Sequence, residues 1–206
     1  MSLRATVILA GGRGERLGGV DKARLKVGGR TLLDRVRAAL APASGPVLVA
    51  LPWGGPEPAP ADGLVYVRDP VADPGPLGGL AAAMAWCLDR EPRPDTLLSV
   101  AVDTPALPPD FAARLESRLA PGVAAVAASC GGQIHPTNAL WRVEAFADLS
   151  ARLAAGSAPA GPKALLSERD CRTCDWDPVA GIDPFSSINT LQDLMKFQRL
   201  LGFRRA

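Results

Sequence analysis

The amino-acid sequence predicts an α/β protein built on a single doubly wound, mostly parallel sheet. Two patterns carry that prediction. Short, nearly continuous apolar runs recur at residues 5–10, 47–51, 64–67, 97–102 and 123–128. Continuous apolar strands are expected where both faces of a sheet are covered, whereas alternation marks a half-exposed sheet. Between the runs lie residues 32–40, 77–88 and 111–119, whose apolar positions are spaced by three and four as on a helix. Strands alternating with helices in this way build a parallel sheet with helical layers on both sides.

The chain has 206 residues, which predicts one domain over 1–206. A hydrophobic content of 48% supplies a core. Lys and Arg number 23 against 21 Asp and Glu, a net charge of +2, too small to argue for nucleic acid or an anionic membrane as partner. No apolar run approaches the length of a membrane span, and the N-terminus enters a strand without a charged and apolar leader, so a cytoplasmic protein is expected. Of four cysteines, Cys171 and Cys174 form a C-x-x-C pair. Two ligands do not make a zinc site, and reduced structural thiols are expected.

The first strand ends at Gly11-Gly12, and a loop follows with Arg13, Gly14, Arg16, Gly18, Gly19, Asp21 and Lys22. Glycine allows backbone to pass close to a ligand. Successive N–H groups in such a loop form an anion-binding concavity, and the basic side chains add fixed positive charge. The pattern suits a nucleoside triphosphate. It is not the dinucleotide fingerprint, because the sixth position from Gly12 is Leu17, and it is not the P-loop, because Lys22 is followed by Ala23. Residues 52–63 are a Pro/Gly-rich surface loop after the second strand. The third strand is followed by Arg68-Asp69-Pro70 and then Gly75-Pro76-Leu77-Gly78-Gly79, a close-approach start to an apolar helix. Asp103-Thr104-Pro105 follows the fourth strand, and a carboxylate at the tip of so apolar a strand needs a cation or donor groups. It can also cap its own turn. Proline residues 108 and 109 lead into the third helix. Near the end, Thr190 and Asp193 form a capping box for a last helix over residues 191–201.

Taken together, Leu9-Ala10-Gly11-Gly12, Arg13, Arg16-Leu17-Gly18-Gly19 and Asp21-Lys22 resemble the signature of the nucleotidyltransferases of the molybdenum-cofactor guanylyltransferase type. The likeness runs from residue 3 to about 198, and residues 142–182 match it poorly. It implies a Rossmann-like nucleotidyltransferase fold. It also implies the roles of the remaining residues. Leu9, Ala10, Gly11, Gly12 and Arg13 would bind the nucleotide, and Arg16 and Lys22 would hold the triphosphate as catalytic groups. Asp69 and Gly78 stand in the segment that contacts the nucleotide. Asp103 matches the Mg²⁺-binding carboxylate, Asn189 would face the metal and phosphates, and His135, in Ile134-His135-Pro136-Thr137-Asn138-Ala139-Leu140, would shape the pterin side. Ser187 and Leu191 depart from the family's Asn and Pro.

The reaction implied is GTP plus molybdopterin cofactor giving the guanine dinucleotide cofactor and pyrophosphate. A pterin-delivering protein or an acceptor molybdoenzyme is a further partner consistent with the resemblance. The rivals are a cytidylyl or a sugar- or polyol-phosphate transferase, a non-catalytic molybdopterin carrier, and a dehydrogenase. Gly11-Gly12 argues for guanine, since cytosine-using relatives tend to carry Ala-Ala-Gly there. Intact Lys22 and Asp103 argue against a carrier, and the missing third glycine against a dehydrogenase.

Overall fold

The computed structural model describes residues 3–11, 22–55, 61 and 63–203. Seven strands form one sheet in the order β5 (Leu64–Arg68), β4 (Val47–Leu51), β1 (Arg4–Leu9), β6 (Thr96–Ala101), β8 (Gln133–Arg142), β7 (Ala125–Cys130), β9 (Cys171–Trp176). All neighbours are parallel except at β8, which runs antiparallel to both β6 and β7. The mostly parallel, doubly wound sheet expected from the apolar runs is therefore present, with β1 at the point where strand order turns from β4 on one side to β6 on the other.

Side chains alternate across each strand, and both faces are covered. Ile8, Val49, Leu98 and Val100 pack under α1 (Leu32–Ala39), α3 (Phe111–Arg118) and α6 (Leu191–Phe203), which contribute Val36, Leu115 and Phe197. Val7, Leu48, Ala50 and Leu97 face α2 (Pro76–Leu88), α4 (Leu149–Ala154) and α5 (Pro162–Leu166), which contribute Met84, Leu149 and Leu165. Each of the larger of these side chains, Val, Leu, Ile, Met or Phe, contributes roughly 1.5–3 kcal/mol relative to exposure. The capping box of α6 is formed: Thr190 Oγ1 accepts from the Asp193 N–H at 3.2 Å, and Asp193 Oδ2 accepts from the Thr190 N–H at 2.8 Å. Among the described residues no helix is long and apolar enough to cross a membrane.

Several elements were not legible as apolar runs. The short hairpin β2 (Lys26–Val27) and β3 (Arg30–Thr31) turns on Gly28 and Gly29, both at positive φ, as a tight two-residue hairpin requires. β9 is an edge strand, with Arg172, Thr173 and Asp175 exposed and Cys174 and Trp176 buried, so its sequence is half polar. β8 carries Pro136, a residue confined to edges and bulges of sheets. Its pairing to β7 shows the bulge: Ala127 opposes Ala139, but Ala128 opposes His135. Residues 136–138 thus make a three-residue excursion from the ladder. All four cysteines are free.

Candidate functional site

Open parallel sheets bind ligands outside the carboxyl ends of their strands, where strand order reverses. A cavity of about 230 Å³ lies there. Leu9 and Gly11 of the first strand's end line it, with Ala50 from β4 and Asp69 from just after β5. Gly75, Pro76 and Gly79 at the start of α2 form another wall. Ala101, Val102 and Asp103 at the end of β6, with Thr137, Lys22 and Ser187, close the other side.

The glycines of α2 are needed for close approach. A Cβ on Gly79 would lie 2.6 Å from the Ala50 Cβ and 2.9 Å from Leu9 Cδ2. One on Gly78 would lie 2.2 Å from Pro74 Cγ and 2.7 Å from Asp69 Cγ. The bare helix start therefore seats against β1, β4 and Asp69. Asp69 is only 7% exposed, and burial pushes its carboxyl up to about 6, with the neighbouring Arg68 guanidinium acting in the opposite sense. A carboxyl raised by burial is one that a ligand's hydroxyls or a cation can stabilise.

Across the cavity, Lys22 donates to Asp103 Oδ2 at 2.7 Å and to Asn189 Oδ1 at 2.5 Å. The Lys22 and Asp103 side chains are 11% and 16% exposed, so the pair is largely withdrawn from bulk water. The last loop is tied to the end of β6, because the Ile188 N–H donates to the Asp103 carbonyl at 2.9 Å. Asn189 is fixed from behind: its N–H donates to Asp193 Oδ2 at 3.1 Å. Burial alone would raise the Asp193 carboxyl, but hydrogen bonds from Thr190 and the two backbone N–H groups hold it below its ordinary value.

The structure thus brings Leu9, Gly11, Lys22, Asp69 and Asp103 into one cavity, with Asn189 bonded to Lys22 and Gly78 beneath Asp69. Ala10 is buried next to the cavity, its N–H donating to the Ala50 carbonyl at 3.3 Å. Gly12, Arg13 and Arg16 lie outside the described residues. His135 faces a different neighbour. Its Nε2 lies 2.7 Å from Asp183 Oδ2, without the alignment of a hydrogen bond, and its ring is 5.4 Å from that of Phe185. It ties β8 to the closing loop and is not among the residues that line the cavity. Asp183 in turn accepts from the Phe185 N–H at 2.8 Å. Thr104, Thr137 and Asn138 had no role legible in the sequence; all three stand at or beside the end of β6.

A strand-end cavity with a lysine–carboxylate pair on one wall and a glycine-opened helix on the other defines a nucleotide-binding α/β protein. The model of the MobA-like NTP transferase domain family matches residues 6–173. The chain belongs to that family. It is 37% identical over 196 residues to the molybdenum cofactor guanylyltransferase of Bradyrhizobium sp. strain ORS 278, covering 94% of this chain and 91% of the relative. Among solved structures it superposes on the molybdopterin-guanine dinucleotide biosynthesis protein A of Archaeoglobus fulgidus with a TM-score of 0.70 at 16% identity, over 97% of this chain and 99% of the other. The 2-C-methyl-D-erythritol 4-phosphate cytidylyltransferase of Thermus thermophilus gives 0.65 at 20% identity, over 98% and 100%. The fold is therefore shared between a molybdopterin-guanine dinucleotide biosynthesis protein and a cytidylyltransferase, and does not choose the base.

Proposed function

We propose that the protein transfers GMP from GTP to the terminal phosphate of the molybdopterin cofactor, releasing pyrophosphate, as one cytoplasmic nucleotidyltransferase domain over residues 1–206. The observation that carries the reading is the meeting of Lys22 and Asp103 on one wall of the strand-end cavity, with Asn189 bonded to Lys22 behind them. The 37% identity to a guanylyltransferase over nearly the whole chain supports guanine as the base.

An oxygen of the cofactor's phosphate attacks the α-phosphorus of GTP. The new P–O bond forms as the bond from the α-phosphorus to the bridging oxygen breaks, and the electron pair leaves with pyrophosphate. The attacking phosphate is already anionic at neutral pH, so no side chain needs to remove a proton from it. The protein aligns the two phosphates and stabilises the charge that develops between them.

The donor set fits a hard divalent cation. Asp103 Oδ2 and Asn189 Oδ1 both point at the position of the Lys22 ammonium, so a positive charge is already stabilised between two oxygens there. Mg²⁺ prefers one or two carboxylates together with phosphate oxygens. Bound to Asp103, with Asn189 beside it, Mg²⁺ would supply Lewis-acid polarisation of the α-phosphate and charge neutralisation on the leaving group. Lys22 exchanges its bonds with Asp103 and Asn189 for the β- and γ-phosphates when the nucleotide enters. Arg13 and Arg16, read from the sequence alone, add to that grip, with Gly12 giving backbone to the loop. Leu9, Ala10 and Gly11 border the base, and Asp69, with Gly78 beneath it, receives the ribose hydroxyls. His135 keeps the Asp183–Phe185 segment against β8 on the pterin side.

The test is pyrophosphate release with molybdopterin as acceptor, comparing kcat/KM for GTP and CTP at saturating Mg²⁺. A ratio of about a hundredfold or more for GTP is expected, the outcome of leaving two buried polar groups unpaired against cytosine. A ratio near one, or one favouring CTP, sinks the guanylyl reading.

A further inference from the structure

We infer that Asn138 is a positioning residue for Asp103: its buried carboxamide replaces the missing strand partner at the end of β6 and clamps the turn that carries the carboxylate. The inference rests on the metal-binding reading of Asp103 given above.

Backbone N–H groups of a strand alternate between its two neighbours. The Val102 N–H donates to the Leu9 carbonyl at 3.1 Å, on the β1 side. The Ala101 N–H therefore points the other way, toward β8. There the ladder has ended: the last β6–β8 pair is Ser99 with Ala139. The excursion at residues 136–138 removes the backbone acceptor that a regular strand would have offered. A buried N–H left alone forfeits its hydration with nothing in return. Asn138, which is 0% exposed, supplies the acceptor instead, its Oδ1 taking the Ala101 N–H at 3.1 Å.

The same oxygen reaches past Asp103. The Thr104 hydroxyl lies 3.2 Å from Asn138 Oδ1 and 2.8 Å from the Ala101 carbonyl, and it can donate to either. The Thr104 N–H also returns to the Ala101 carbonyl at 3.1 Å. Asp103 thus sits in a tight turn from Ala101 to Thr104, and both ends of that turn touch one amide. The excursion is itself anchored, because Ser99 Oγ donates to the Thr137 carbonyl at 2.9 Å and accepts from Trp141 Nε1 at 2.8 Å. A bulge that re-aims a side chain beside a functional site is a common use of that device. The Asn138 Nδ2 has no hydrogen-bond partner among the described residues. The clamp therefore uses the acceptor half of the amide, and an acceptor-only replacement keeps it.

The experiment measures Mn²⁺ affinity by electron paramagnetic resonance in the presence of GTP, and GTP affinity by calorimetry without metal. Asn138→Ala is expected to weaken Mn²⁺ binding at least tenfold while GTP affinity without metal changes less than threefold. Asn138→Asp, which retains the oxygen, is expected to restore Mn²⁺ affinity to within threefold of wild type. A general loss of structure would instead weaken both ligands together and would not be rescued. If Asn138→Ala does not fold, Thr104→Val decides, with an expected loss in Mn²⁺ affinity of threefold or more. A folded Asn138→Ala, or failing that Thr104→Val, with wild-type Mn²⁺ affinity overturns the inference alone. A wild-type protein that binds no Mn²⁺ with GTP present overturns the metal reading, and this inference with it.

Discussion

The two halves of the cavity position their groups by opposite means. On the β5–β4–β1 side the work is done by removing side chains. Gly78 and Gly79 let α2 close on Leu9, Ala50 and Asp69, where even a methyl group would collide. On the β6–β8 side it is done by adding polar side chains that reach across long stretches of sequence: Lys22 to Asn189, and Asn138 to Ala101. Backbone close approach gives a rigid, shape-defined wall. A hydrogen-bonded wall is able to exchange partners, as a site that must admit and release phosphates requires.

The largest effect that tests this contrast belongs to Asp103. Asp103→Ala is expected to lower turnover by about a thousandfold, on the scale of losing a group that stabilises transition-state charge. Circular dichroism should show the fold retained, because Asp103 holds the closing loop through its carbonyl and not through its side chain. A folded variant with wild-type pyrophosphate release would remove Asp103 from the chemistry.

Lys22→Ala comes next. Both its bonds in the free protein are to groups assigned to the reaction, so its loss should raise KM for GTP and lower kcat together. A combined drop of about a hundredfold in kcat/KM corresponds to about 3 kcal/mol of transition-state binding. A change in KM alone would restrict Lys22 to holding the ground state.

The glycine wall should respond in stability more than in chemistry. Gly78→Ala forces its methyl group onto Pro74 and Asp69, and an overpacked core position costs about 1–3 kcal/mol. Urea unfolding should show that loss as a lower midpoint at unchanged slope. An unaltered midpoint would mean that α2 shifts freely, and that the close approach is not what fixes this side.

This contrast also explains what the sequence discloses. Strands buried on both faces announce themselves as apolar runs, and five of the seven sheet strands are legible that way. Glycine clusters announce close approach, so Gly78 and Gly79 are readable from the chain alone. Lys22, Asp69 and Asp103 are each visible as a charged residue in a loop that follows an apolar strand. Their arrangement is not, because Lys22 meets Asn189 only after the whole sheet is wound. Asn138 stands inside a recognisable segment that gives it no role of its own. Its partner, Ala101, is an alanine whose need for an acceptor arises from a gap in strand pairing. β9 escapes the apolar pattern because an edge strand needs only one apolar flank, and residues 171–176 are half polar.

The smallest effect, and the most specific to the backbone-built side, concerns the pH dependence of Asp69. Burial holds its carboxyl at about 6 against an ordinary 3.8, so it binds its proton more tightly in the folded chain. Between those values the folded state carries more protons than the unfolded one. Stability therefore falls as pH rises through the window, and the loss is complete above about 6. Each pH unit across the window is worth about 1.4 kcal/mol. Water reaching the carboxylate through the cavity reduces the total, leaving a cost on the order of 1–2 kcal/mol. Asp69→Asn removes the buried charge, so the ligand-free variant should be more stable than wild type at pH 7.5 by that amount. The two should converge at pH values near 4. Urea midpoints at pH 4, 5, 6 and 7.5 measure the difference directly, and parallel curves would rule out the strained carboxylate. The same variant should bind GTP more weakly if Asp69 receives the ribose hydroxyls as proposed, since it gives up one carboxylate acceptor. Greater stability joined to weaker binding would show that the site holds a buried charge at the expense of the free protein's stability. Greater stability with unchanged binding would leave Asp69 as a packing residue beneath α2.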